Sequence, residues 1–445
     1  MDLPALPALA TYVLLLGALV VGTLFRPAVA VAGVICLFGL KQWGQVAHPF
    51  LLAHPLFSNY AIGALVLVGV AMRFAAGQCP WCDAPRAWWT ALGLYAYALL
   101  SLLWTPRLDL VLPVWEQVYP YIVTAVVLAP MLLPSASTVR TALRWSVGVG
   151  AALLLLLLVF GDWGYRGLMI GTSDPELEAN PLALSGLAGA VATAAMFIRL
   201  GLPRSLDWLV RMAVVVLCLV VIVRSGSRGQ LIATVLSIVS LLPLGFRVGE
   251  WRGVVAIAVA LTVLAGGLAW ALAEYVQWFD LRWTESLVRS DAEGRLEMAM
   301  ALLDRWAGSP ISVLFGLGNS ASFDPRIIGF YSHVVPLEVV GELGLVGLSI
   351  YLLVLWQAAS SLRSAIRLAG DDAEARGLAA AAGAGLLFFF MLTLKEGSLI
   401  GSVFFFLYVA MVGRLGMPVA DPALESLRTE SLEESTTAPF PNVLR

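Results

Sequence analysis

The stretch LVRMAVVVLCLVVIV (209–223), RSGSRG (224–229) and QLIATVLSIVSLLPLGF (230–246) decides the fold class. Two continuous apolar runs are joined by a short polar link that leaves room only for a tight turn. Neither run alternates as a barrel strand does. Backbone groups in lipid must be satisfied within their own segment, so each run reads as a membrane helix. Similar runs fall near residues 7–25, 27–40, 58–74, 87–104, 115–133, 145–160, 181–200, 253–273, 336–356, 379–394 and 398–414. At about 20 residues per span, and with several runs short, about twelve transmembrane helices are expected. The fold class is an all-α polytopic membrane bundle.

Composition leads to the same place. Of 445 residues, 60% are apolar and 13% charged, where soluble domains carry roughly 25% charged residues. Mean hydropathy is +0.89. An ordinary soluble enzyme is excluded, and a net charge of −2 gives no reason to expect nucleic acid as a partner. The opening MDLPALP has no cationic region and no small-residue cleavage site follows Phe25, so the first helix is expected to stay in place.

Arginines close to helix ends mark cytoplasmic loops. Arg140 and Arg144, Arg204 and Arg211, Arg247 and Arg252, and Arg363, Arg367 and Arg376 form such clusters. They put the 161–180 loop, the 224–229 turn and the 274–335 segment on the extracytoplasmic side. In the N-terminal third the parity is open, and Arg26 favours an outside N-terminus if thirteen helices cross. The chain divides into N-terminal membrane helices (1–273), one large outer loop or lid (274–335), C-terminal membrane helices (336–416) and a polar, acidic tail (417–445) expected to be disordered and cytoplasmic. A loop of that length is functional or disordered. Ser290-Asp291-Ala292-Glu293 has the form of a capping box, which predicts a helix opening there with Leu296, Ala299, Met300 and Leu303 on one face.

His333 ends the outer loop three residues before Pro336. An imidazole titrates near neutrality and can take a proton from an alcohol; the bland alternative is an interfacial histidine bonded to its neighbours. Arg228 lies in the Gly- and Ser-rich turn with Ser227, where a guanidinium fork beside exposed amides suits a phosphate or diphosphate. A snorkelling arginine would look the same. Arg166 and Arg295 add two outer guanidiniums, and for Arg295 an ion pair with Asp291 competes. Together these residues are what a site needs to hold a diphosphate leaving group while an incoming hydroxyl is deprotonated. Glu338 and Glu342, just inside the next span, must be paired, protonated or in a wet cavity. Lys395 and Glu396 read first as a mutual pair, with substrate contact by Lys395 as the lesser alternative. His48 and His54 are taken as structural, and Cys36 and Cys218 as packed. Cys79-Pro-Trp-Cys82 is a CxxC without the further ligands of a zinc site. No D-x-D pair occurs in the outer loops, so no metal and no other cofactor is expected.

Gly316-Leu317-Gly318-Asn319, Ser332-His333-Val334-Val335-Pro336-Leu337-Glu338 and Glu342-Leu343-Gly344-Leu345-Val346-Gly347 resemble the motif around the functional histidine of O-antigen ligases, within the O-antigen ligase and polymerase superfamily. Ser227-Arg228-Gly229, Arg166 with Asn180-Pro181, and Arg295 on the loop helix resemble its other hallmarks. The resemblance covers roughly residues 150–415. Val334 stands where members commonly carry Asn. The resemblance implies a GT-C-like bundle in the bacterial inner membrane with its active site facing the periplasm. It implies transfer of a glycan from undecaprenyl diphosphate to a sugar hydroxyl of lipid A–core oligosaccharide, metal-independent and inverting. Arg166, Arg228 and Arg295 would grip the diphosphate, and His333 would act at the acceptor hydroxyl. Glu338, Ser227, Asn180 and Lys395 are supporting candidates. A polymerase or a protein O-oligosaccharyltransferase could use the same donor. A lipid-linked glycan transporter is a rival of another class, although transporters place ionisable groups nearer the bilayer midplane.

Overall fold

The computed structural model describes residues 5–79, 81, 84–164, 167–169, 181–246 and 285–418, with scattered positions between 255 and 270. The long helices are α1 (Ala5–Phe25), α2 (Val29–Ala47), α4 (Phe57–Ala75), α5 (Arg86–Ser101), α6 (Leu108–Tyr121) and α7 (Ala136–Phe160), with a short α3 (Pro49–Ala53) between α2 and α4. After α6 the helical path runs on to Leu132. A small hairpin, β1 (Asp162–Gly164) and β2 (Gly167–Met169), pairs antiparallel with Gly164 opposite Gly167. Then come α8 (Pro181–Phe197), α9 (Arg204–Arg224) and α10 (Arg228–Gly245). The outer segment holds α11 (Glu285–Trp306) and α12 (Pro310–Phe315), and the chain closes with α13 (Val335–Ala369), α14 (Ala373–Thr393) and α15 (Val403–Leu415).

Ten of these helices are long and apolar enough to cross a membrane, and two shorter apolar ones, Leu182–Phe197 and Val403–Leu415, accompany them among the described residues. This is a multi-pass membrane protein, as the apolar runs indicate. Large side chains such as Trp43, Trp88, Tyr351 and Phe406 are fully buried between helices. Val13, Leu14, Phe25, Leu103 and Trp356 remain exposed, as lipid-facing residues do.

The polar contacts sort into two ends. At one end Arg144 donates to Arg199 O at 2.5 Å and pairs with Glu374 at 2.9 Å. Arg376 donates to Leu244 O at 3.1 Å and Arg414 to Leu133 O at 3.0 Å. Arg73 donates to Met131 O. At the other end Leu399 N–H meets Glu338, Gln230 meets Glu396, and Arg224 lies over the Trp163 ring. Arginines crowd the first end. Thr11, near the start of α1, accepts a hydrogen bond from Trp43, near the end of α2, so the chain starts α1 at the end away from the arginines. Among the scattered described positions between 255 and 270, Gly267 faces Val216 and Leu219 of α9.

Two expectations are corrected. Helix α11 begins at Glu285, so Ser290 lies inside it and is not its cap. Its packed side carries Ala299 and Leu302, 1% and 0% exposed, whereas Leu296 and Met300 are 63% and 49% exposed. Leu302 packs instead against Gly341 of α13. The tail beyond 418 lies outside the described residues.

Candidate functional site

The site is built on a broken helix. Within α13, Gly344 adopts φ 67° and ψ −164°, so the helical ladder stops and restarts. A break inside a membrane span is tolerated where protein re-satisfies the freed groups. Here Leu317 N–H donates to Gly341 O at 3.0 Å, Gly318 N–H to Glu342 O at 2.9 Å, and Tyr97 O–H to Leu343 O at 3.2 Å. The two backbones approach so closely that a Cβ on Gly344 would lie 2.5 Å from Leu314 O. The Gly316–Asn319 motif is therefore the surface that receives the break.

Glu342 completes this junction. Its side chain is fully buried and accepts from Ser320 N–H at 2.5 Å, Ser322 N–H at 3.1 Å and Asn319 Nδ2 at 3.3 Å. Asn319 in turn accepts from Trp115 Nε1 at 3.1 Å, and its N–H donates to Ser101 Oγ at 2.9 Å. Glu342 thus fastens the outer loop to α5, α6 and α13. Glu338, one turn earlier, is 2% exposed and Leu399 N–H donates to its Oε1 at 2.8 Å. Its Oε2 has no hydrogen-bond partner among the described residues.

His333 sits in the turn entering α13, with φ 63°. This is the left-handed region, in which histidine is one of the few non-glycine residues found with any frequency. Ser332 beside it is fully buried, and Pro336 occupies the first turn of α13, where a missing N–H does no harm. The imidazole is half-buried against Tyr331, with ring centroids 4.3 Å apart, and near Phe330 at 5.8 Å. Partial burial, and then the Arg295 charge on α11, hold it below its ordinary value near 6.5, so it stays neutral at neutral pH. Burial raises the Tyr331 phenol, the nearby Glu396 charge adds to this, and Arg295 opposes it.

Glu396 belongs to a polar knot at the start of α10. Gln230 Nε2 donates to both its oxygens at 2.7 and 2.8 Å, and Lys395 Nζ donates to Glu396 at 3.2 Å and to Gln230 Oε1 at 3.0 Å. The mutual Lys395–Glu396 pair is present, with Gln230 as a third member. Gly229 leaves room for Lys395, whose side chain a Cβ there would strike. Arg228 and Ser227 stand at the same helix start and are partly buried and buried, respectively.

His333, Arg295, Glu338 and Lys395 therefore meet at one end of the bundle, and Arg228 with Ser227 adjoins them through α10. Arg166 falls between β1 and β2, and it and Asn180 lie outside the described residues, as do Cys82 and the Asp291 side chain. Cys79 is disulfide-bonded, while Cys36 and Cys218 are buried and free. His48 accepts from Phe50 N–H at 3.1 Å as the cap of α3, and the His54 ring packs at a tilt against Phe50 with centroids 4.6 Å apart, so both are structural. Tyr331 and Gln230 escaped the sequence reading. Gln230, an amide opening an apolar run two residues after Arg228, was the available signal.

Residues 213–352 match the family model described as O-Antigen ligase. The segment runs from α9 into α13 and contains Arg228, Arg295, the outer loop and His333. Over this segment the chain is similar to the O-antigen ligase family. No curated protein matches the chain. O-antigen ligase family proteins are ligases or polymerases of glycosyltransferase type, with lipid-linked glycan and lipid acceptor substrates. The match supports a glycosyltransferase activity of ligase or polymerase type in this membrane bundle.

Proposed function

We propose that this protein is an O-antigen ligase of the bacterial inner membrane, moving a glycan from undecaprenyl diphosphate to a sugar hydroxyl of lipid A–core oligosaccharide at the periplasmic face. The observation that carries the reading is the neutral, half-buried His333 imidazole fixed at a turn beside Arg295, at the end of the bundle away from the arginine-rich loops. In the reaction the acceptor O–H proton passes to a ring nitrogen of His333 as the acceptor oxygen bonds to the anomeric carbon. The bond from that carbon to the diphosphate oxygen breaks, and its electron pair leaves with the phosphate. Arg228 and Arg295, with Arg166, hold that growing negative charge, and fixed guanidiniums in a site shielded from water do this better than solvent. Ser227 and Asn180 assist at the diphosphate. Glu338 steadies the loop at Leu399, and Lys395 orders the neighbouring carboxylate and amide. The reading is metal-independent and inverting, with one displacement at the anomeric carbon.

The test combines purified protein, undecaprenyl-diphosphate-linked glycan and lipid A–core in detergent, with neither nucleotide nor a membrane gradient. Glycan on lipid A–core is the expected product. Elongated donor in its place would make the protein a polymerase, either product rules out transport as the explanation, and no new bond at all would count against a transferase.

The acid limb of this reaction belongs to His333. Its pKa is depressed, so activity is expected to rise with pH and to level off below the usual imidazole value. In Arg295→Gln the repelling cation is gone and the imidazolium is easier to form, so the limb moves to higher pH. A pH profile of kcat/KM for the acceptor reads this, and an unmoved limb means Arg295 does not act on His333.

A further inference from the structure

A cavity of about 550 Å3 opens at the same end of the bundle, between α2, α8, α14 and α15, and Tyr331 forms part of its wall. Lys41, Gln45, Glu396 and Ser402 line it toward the site end, and Phe38, Leu187, Phe389 and Phe404 line it deeper among the helices. From Ala183 to Ala190 the α8 wall descends about 10 Å at the rise of a helix. A pocket of this size and grading, polar donors and acceptors at the mouth and rings and aliphatic chains below, suits a glycolipid with its sugar at the rim and its hydrocarbon inside. The chain contains two lysines, Lys41 and Lys395. One lines this cavity and the other holds its Glu396 wall at 3.2 Å.

We infer that this cavity seats the acceptor glycolipid, with the accepting sugar held at the Lys41–Glu396 rim and carried by Tyr331 to His333; this rests on the ligase reading above. Three features favour the acceptor over the prenyl donor. The Tyr331 ring touches the cavity on one side and lies 4.3 Å from the His333 ring on the other. The rim offers one ammonium near a carboxylate, a poor match to a diphosphate and a good match to hydroxyls. Finally, apart from Tyr331, the lining residues lie outside the ligase-family segment 213–352, so the matched segment carries the transfer machinery and the rest of the chain builds the pocket that tells acceptors apart.

Gly186 gives a clean probe, because it lines the cavity and a Cβ there would have no neighbour within 4 Å. Gly186→Trp is expected to raise the KM for lipid A–core at least tenfold while the KM for the undecaprenyl-diphosphate donor stays within twofold. Native mass spectrometry in nanodiscs, run without donor, is expected to show lipid A–core retained by the wild type and lost by the variant. A rise in donor KM instead assigns the cavity to the prenyl chain, and no change in either KM overturns the inference while the ligase reading stands. Binding lost in the variant when the wild type transfers nothing keeps the seat and sinks the ligase reading. Should the tryptophan variant fail to accumulate, Ala183→Leu on the same wall and Lys41→Gln at the rim carry the same comparison.

Discussion

His333→Ala is expected to abolish glycan transfer while the protein accumulates in the membrane at its usual level. General-base assistance is worth about 10²- to 10⁴-fold, and the variant loses all of it. Folding is spared because the imidazole is half-buried against Tyr331 and Phe330 and carries none of the loop's backbone contacts. Alanine does meet one cost, the φ of 63° at this position. Left-handed backbone disfavours a Cβ by roughly 1–2 kcal/mol, and asparagine tolerates it better. The informative pair is therefore His333→Ala with His333→Asn. Both are expected to be inactive in the detergent assay, the second without the backbone penalty. Transfer by the asparagine variant at the wild-type rate would mean that the position matters for its backbone and not for its base.

Much of the fold is legible in the sequence because lipid imposes a single rule on every span. Continuous apolar runs such as 209–223 and 230–246 can satisfy their backbone in only one way, so span number and type follow from composition and length. Arg144 and Arg376 bond backbone carbonyls at one end of the bundle, as residues at the ends of apolar runs can. The helix starts and faces are less legible. The Ser290–Glu293 pattern resembles a cap, yet the helix runs through it from Glu285. Leu296 and Met300 fall on the exposed side because an apolar stripe near a membrane can face hydrocarbon as well as protein. Within the site, His333 and Arg228 stand out as rare polar residues at the ends of apolar runs, and Arg295 as a guanidinium on the outer-loop helix. What they could not announce was the company they keep. The donors to Glu342 come from Asn319, Ser320 and Ser322, and Glu396 accepts from Gln230, more than 160 residues away in the chain, as well as from its neighbour Lys395. Contacts that span such separations depend on how helices pack, and neither spacing nor composition encodes them locally.

Gly344→Ala tests whether the helix break is what presents His333. Gly344 holds φ 67° with ψ −164°, a region that is essentially glycine-only. An added methyl there would sit 2.5 Å from Leu314 O and closer still to Gly316 N–H, both backbone atoms that cannot swing aside. The dihedral penalty alone is about 1–3 kcal/mol, and the contact adds to it. Alanine also favours continuing the helix, which would draw Gly341 O, Glu342 O and Leu343 O back into the ladder and away from Leu317, Gly318 and Tyr97. The Gly316–Asp324 turn would then lose its anchors, and the loop that leads to His333 would lose its seat on α13. The expected outcome is a lower melting temperature in detergent together with transfer reduced at least tenfold, in a protein whose helix content by circular dichroism is unchanged or slightly higher. Wild-type stability and turnover in this variant would show that the two backbones do not meet at Gly344, and that His333 is held in place by something other than the broken helix.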